Sequence, residues 1–328
     1  MSTRPRPLTT WCRLLRLPNL FTVPGDAIAG YALASVPLVP WERLVWLWVV
    51  PCVLLLYAAG LLLNDFFDRE ADARERPERP IPSGAVRPGT VLLAGLVALA
   101  AGVVLGFVNG PAPGLATLVV ATLVFGYDAG LKRVRAVGPL VMGSCRAGSV
   151  LIGACFGTAG AEAIVNTARR LVGLRAGFFK EGQDLLLMLA AAGAWALTSA
   201  VTVTAAAETG GRRPGRVAYL PGLTWAALAG TVWQQHVLIA RWPEIACLVA
   251  MGLASVLGLG WAWAARAGRL ATHSLIGRLI RAMIPVQAAW CLLTLHHHYQ
   301  RVEGVAIILG FAALWAGATL SARRFYGS

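Results

Sequence analysis

Apolar residues in this chain come in long blocks, with none of the strict alternation that marks a half-buried strand. Ten such blocks lie near 18 to 38, 43 to 63, 90 to 108, 113 to 128, 139 to 160, 184 to 206, 218 to 239, 244 to 264, 278 to 295 and 303 to 321. A helix needs about twenty mostly apolar residues to cross the hydrocarbon core of a bilayer, and most of the blocks approach that length. Several are short or interrupted, so the pattern predicts nine or ten spans in an all-α, polytopic transmembrane helical bundle. No repeat divides the chain, and residues 1–328 read as a single domain.

Composition agrees: 57% of the 328 residues are hydrophobic and 13% charged, which excludes a soluble enzyme of this size. The net charge of +14 does not indicate nucleic acid, because the basic residues are spread over alternate loops without forming one basic face. They fit the positive-inside rule. With the N-terminus in the cytoplasm, most of the 29 Lys and Arg fall on the inner side, Arg323 and Arg324 among them, and only Arg146 lies within a span. The expected location is the cytoplasmic membrane. Arg4, Arg6, Arg13 and Arg16 precede the first block without a cleavage site after it, so that helix is expected to stay uncleaved. The six cysteines show no CxxC spacing and predict neither a disulfide framework nor a zinc site. Residues 160–183 suggest a short amphipathic helix at the interface.

The second block ends in NDFFDREADARERPERPIPSG, residues 64–84. Asp65, Asp68 and Asp72 are spaced i, i+3, i+7, so a helix continuing past the membrane puts them on one face. That face offers hard oxygen ligands to Mg²⁺, which usually binds through one or two carboxylates plus substrate phosphates. A solvated, charge-rich loop is the alternative reading of the residues alone.

The run NDxxDxxxD followed by RPxRPIPSG resembles the first aspartate-rich motif of the UbiA superfamily of membrane prenyltransferases. Asn64, Asp65, Asp68, Asp72, Arg79, Pro80, Pro82, Ser83 and Gly84 carry the resemblance. It implies a transmembrane bundle of the UbiA type that moves an isoprenoid from an allylic diphosphate to a lipophilic or small acceptor, with its active-site loops on the cytoplasmic side. Asp65, Asp68 and Asp72 are then the catalytic Mg²⁺ ligands, while Asn64, Arg76 and Arg79 meet the diphosphate. Charge balance against the nearby acids is the other reading of the two arginines. In YDAGLKR, Tyr127 and Lys132 resemble a second element of the superfamily and are implied at the same diphosphate. Asn19, in RLPNLFTVPGD, resembles a first-helix Asn of that site.

Asp26 and Arg146 stand out independently of any resemblance. A charge at the centre of a membrane helix costs about 2.5 to 3.5 kcal/mol on insertion scales, so each should face a cavity or a partner. Arg146 is therefore a candidate diphosphate ligand or the partner of a carbonyl or acid on another helix. The chain departs from the superfamily after the sixth block, where a second aspartate pair is expected and TAAAETGGRRPGR stands instead. Either Glu208, a candidate catalytic carboxylate, suffices for the metal, or Arg212, Arg213 and Arg216 neutralise the diphosphate in its place, or the protein binds and transports a phosphorylated lipid without reacting. His296, His297 and His298 are consecutive and so diverge on a helix, which argues against a shared metal.

Overall fold

The computed structural model describes residues 7–35, 46–157, 161–162, 164–165, 169, 181–209, 213–236, 242–294 and 300–325. The predicted interfacial helix at 160–183, Arg212, and His296 to His298 lie wholly or largely outside these residues. Among the described residues every regular element is helical.

Among the described residues eight helices are long and apolar enough to cross a membrane: Leu47–Phe67, Pro88–Val108, Pro111–Ala129, Val137–Phe156, Leu185–Glu208, Trp242–Arg266, Thr272–Leu293 and Val305–Arg323. Each coincides with one of the expected blocks. The other two blocks are shorter as helices. The seventh gives Leu220–His236, of 17 residues. The first is split by its prolines, which lack an N–H and sit most readily in a first turn: Pro18 opens a one-turn helix, Leu17–Leu20, and Pro24 opens a 12-residue helix, Val23–Ala34.

In chain order the helices are α1 Pro7–Leu14, α2 Leu17–Leu20, α3 Val23–Ala34, α4 Trp46–Phe67, α5 Arg69–Glu75, α6 Pro88–Val108, α7 Pro111–Ala129, α8 Val137–Phe156, α9 Glu181–Thr209, α10 Leu220–His236, α11 Trp242–Arg266, α12 Thr272–Leu293 and α13 Gln300–Phe325. Successive long helices pack as neighbours, α4 on α6 and α8 on α9 among them, while α3 runs through the middle against α4, α8, α9 and α12. The α3/α8 crossing is close because it is made of glycine. A Cβ at Gly30 would fall on the Val150 carbonyl, and one at Gly153 on the Ala27 carbonyl. Small residues of this kind are what let membrane helices approach backbone to backbone. The outer surface is apolar, with Leu93, Val108, Val256 and Leu309 each more than half exposed, as lipid-facing positions should be.

Candidate active site

Only Asp68 separates the end of α4 from the start of α5, and the break is slight. The Asp68 N–H still donates to the Asn64 carbonyl at 3.0 Å and the Asp72 N–H to the Asp68 carbonyl at 2.8 Å. Helical register therefore carries through the junction and keeps Asp65, Asp68 and Asp72 on one face. Asp65 and Asp72 are buried, whereas the Asp68 side chain keeps 31% of its surface.

Beyond α5 the proline-rich loop folds back. The Ser83 N–H donates to the Arg79 carbonyl at 2.9 Å and the Val86 N–H to the Pro80 carbonyl at 3.2 Å. Gly84 closes the turn at φ 73°, a left-handed conformation open to glycine and costly for a side chain. Ile81 wedges among Leu14, Leu62 and Val91, tying the loop to α1, α4 and α6. The wedge aims Arg79 at the aspartates: Nη1 lies 2.6 Å from Asp72 Oδ2 and 3.7 Å from Asp65 Oδ1.

Two further cations converge here. Arg16 is the one non-glycine residue with positive φ among the described residues, at 41°, a conformation that costs of order 1–3 kcal/mol and tends to persist at functional sites. It turns the chain between α1 and α2 and sets Nη2 3.2 Å from Asp65 Oδ1. Lys132, in the turn after α7, places Nζ 2.7 Å from Asp68 Oδ1, 3.1 Å from Asn64 Oδ1 and 3.7 Å from Asp128 Oδ1. Three cations thus interleave with four carboxylates and an amide where α4 and α7 end.

The other expected residues divide. Tyr127 lies within electrostatic reach of Asp128, Asp68 and Arg16. Asn19 accepts on its carbonyl from the N–H and Oγ1 of Thr22, and its side chain bonds Tyr57. Arg76 does not join the cluster through its side chain, which is exposed at the end of α5. Glu208 is 39% exposed and 3.9 Å from His273, and Arg213 and Arg216 are exposed nearby in the chain.

Arg146 is drawn into a different cluster, inside the bundle. It pairs through Nε with Asp26 Oδ2, and its Nη2 donates to the Thr22 carbonyl at 2.6 Å. Gln287 of α12 donates Nε2 to the same carbonyl at 2.9 Å and to Asp26 Oδ1 at 2.7 Å. Asp26 and Gln287 are almost fully buried. Sequence reasoning had set out both options for Arg146, and it is the bond to a carbonyl and an acid that forms. It missed Gln287, although a Gln in the apolar run of α12 is itself a signal, and it missed the reach of Arg16 and Tyr57.

Asp65, Asp68 and Asp72 share a face but are not gathered into one preformed metal site: among the described residues no three His, Cys, Asp or Glu side chains could hold an ion together. Asp72 is taken up by Arg79. Asp65 and Asp68, one turn apart, suit the partial coordination that Mg²⁺ prefers, in which substrate phosphates and water supply the remaining oxygens.

Membrane-spanning helices around a mouth of aspartates, arginines and a lysine define a class of intramembrane protein built to handle a polar group beside lipid. The model of the UbiA prenyltransferase family matches residues 26–264, and the chain belongs to that family. It is 36% identical over 114 residues to the digeranylgeranylglyceryl phosphate synthase of Methanococcoides burtonii, a match covering 34% of this chain and 41% of that protein. It is 32% identical over 148 residues to the enzyme of the same name from Metallosphaera sedula, covering 44% and 51%. The chain therefore spans about half the length of the curated relatives it matches. A solved structure described as digeranylgeranylglyceryl phosphate synthase has the same fold, with a TM-score of 0.58 at 18% identity over 88% of this chain and 98% of that one.

Proposed function

We propose that this protein is a prenyltransferase of the cytoplasmic membrane, moving an isoprenoid from an allylic diphosphate to a lipophilic acceptor at a mouth on the cytoplasmic side. The observation that carries the reading is the interleaving of Arg16, Arg79 and Lys132 with Asp65, Asp68, Asp72 and Asp128. Such a set offers two chemistries side by side, carboxylate oxygens for a divalent cation and N–H groups for phosphate oxygens.

Asp65 and Asp68, with Asp72 on the same face, would hold Mg²⁺. The ion, when bound, neutralises charge that grows on the diphosphate as its bond to the allylic carbon breaks. Arg79 and Arg16 present guanidinium forks that match phosphate oxygens, and Lys132 adds a point charge opposite them. Asn64 keeps Lys132 at the mouth, and Asp72 keeps Arg79 there. Tyr127 and Asn19 line the approach to the reacting end. Arg146 belongs to the deeper cluster and supports α3 rather than touching the diphosphate.

Glu208 leaves room for a second reading, binding or transport of a phosphorylated lipid without reaction, since it stands exposed beside His273 where a second carboxylate pair was expected. One assay separates the two. Detergent-purified protein is given Mg²⁺, allylic diphosphates of increasing length and a lipid extract, beside Asp68→Asn. Pyrophosphate release that needs the extract and disappears in the variant supports transfer; donor binding without release would replace transfer by the second reading.

A further inference from the structure

The first half of α12 carries two arginines, Arg278 and Arg281, inside a stretch long and apolar enough to cross a membrane. At 1.5 Å per residue, the Arg281 backbone lies about 14 Å from the start of the helix. A charge at that depth is expensive unless it reaches the interface or finds a partner. The side chain takes the first course. It folds back over Gly277 toward the start of α12, where a Cβ would lie 3.4 Å from Arg281 Nη1. A basic side chain that runs along an apolar helix to bring its head to the polar boundary is snorkelling. Ser274, Arg278 and Arg281, spaced i, i+4, i+7, share this face, and the Arg278 guanidinium stands 5.8 Å from the ring centre of Trp261 on α11. Trp261, Ser274, Gly277 and Arg281 are half-buried and Arg278 is exposed, so together they outline a shallow groove between α11 and α12.

We propose that this groove holds the headgroup of a phospholipid of net negative charge, with its phosphate between Arg278 and Arg281. Topology accounts for basic residues near the end of a span, but not for two left without a counter-charge. Arg16, Arg79, Lys132 and Arg146 each pair with an aspartate. Among the described residues neither Arg278 nor Arg281 meets a carboxylate, and the two are close enough to repel one another. An anion between them removes that repulsion, and guanidinium forks match phosphate oxygens. The apolar surface beside the groove selects a lipid over a soluble phosphate. Val249, Leu253 and Leu257 are exposed at steps of four along α11 and lead to Trp261, a ridge on which acyl chains lie while the headgroup meets the arginines. The net charge follows from the same pair, since a choline headgroup would set a third cation beside two that already repel. Basic pockets between membrane helices take anionic headgroups in this way.

The test uses the detergent-solubilised full chain with short-chain phosphatidylglycerol, short-chain phosphatidylcholine and inorganic phosphate, and reads bound lipid by native mass spectrometry. The expected result is phosphatidylglycerol binding roughly tenfold or more tighter than phosphatidylcholine, as for one added hydrogen bond between charged groups. Inorganic phosphate in large excess should not displace it. The preference should disappear in Arg278→Gln and in Arg281→Gln; Arg278 is exposed, so its variant carries the test even where the other fails to fold. The control is Arg269→Gln, which removes the same charge just beyond the end of α11, where Arg269 stacks 4.8 Å from the ring centre of Trp263. It should keep the preference. Equal affinity for the two lipids in the unmodified protein would overturn the proposal. An equal loss in Arg269→Gln and Arg278→Gln would also overturn it, by reducing the preference to general surface charge. Displacement by inorganic phosphate would do so too, by showing an anion site to which the lipid is incidental.

Discussion

The mouth and the buried cluster are both built from aspartate and basic side chains, yet they are opposite kinds of site. At the mouth Arg79 and Lys132 each stand between two carboxylates, and the Lys132–Asp68 contact at 2.7 Å is made to a side chain that water can still reach. In the bundle Asp26 is held from two directions by Arg146 and Gln287, away from water. A cation with two carboxylate partners can hand one contact to a ligand while keeping the other, and the Asp68 contact, with that side chain 31% exposed, is the one water already screens. A buried charge has no such freedom, since its partner is what offsets its desolvation. The difference suggests why one family fold carries charge at two depths: the outer set can be rearranged by substrate, and the inner set fixes α3 against α8 and α12.

The sharpest way to break this comparison is to remove one partner from the inner set. Arg146→Ala leaves Asp26 buried and unpaired, and should lower stability by about 3–5 kcal/mol in a denaturation series; replacing both partners by Leu should recover much of the loss. A mild effect of the single variant would mean that water reaches the cluster. Next in size is Asp68→Asn at the mouth, expected to lower the rate of pyrophosphate release by roughly 10²–10³, as removal of one electrostatic contact to the transition state does. Its unfolding midpoint should barely move, and a large shift would show the mouth to be structural too. Lys132→Met should weaken inorganic pyrophosphate binding by about 1.5–3 kcal/mol in calorimetry, the worth of a hydrogen bond to a charged group. Unchanged binding would take Lys132 out of the diphosphate site. The smallest effect is expected at Glu208→Gln, at most about 1 kcal/mol in stability for an exposed pair and little in rate. A loss comparable to Asp68→Asn would make Glu208 a working part of a second ion site.

How much of this could be read in the sequence follows from how local each feature is. The face shared by Asp65, Asp68 and Asp72 was legible because it depends on spacing within one helical run. Arg76 looked equivalent to Arg79 by composition. They differ because Arg79 follows the turn that Ile81 anchors, and that turn faces the loop inward only once α1 and α6 are packed. Asp26 and Arg146 announced themselves as charges in apolar helices needing partners, but 120 residues of chain separate them, and their pairing depends on the glycine crossing of α3 and α8. Gln287 was hidden because a neutral amide does not interrupt an apolar block. The first block reads as one span from 18 to 38, and its division into Leu17–Leu20 and Val23–Ala34 at Pro18 and Pro24 was missed because an apolar run does not show where the chain turns.

Arg16 has a practical consequence for handling the protein. Its guanidinium meets Asp65, 49 positions further along the chain, so the leading segment is a working wall of the mouth. An affinity tag or reporter joined there and drawn toward a surface would disturb turnover while leaving yield and solubility in detergent unaltered. Preparations compared for activity should carry their fusions at the other end of the chain.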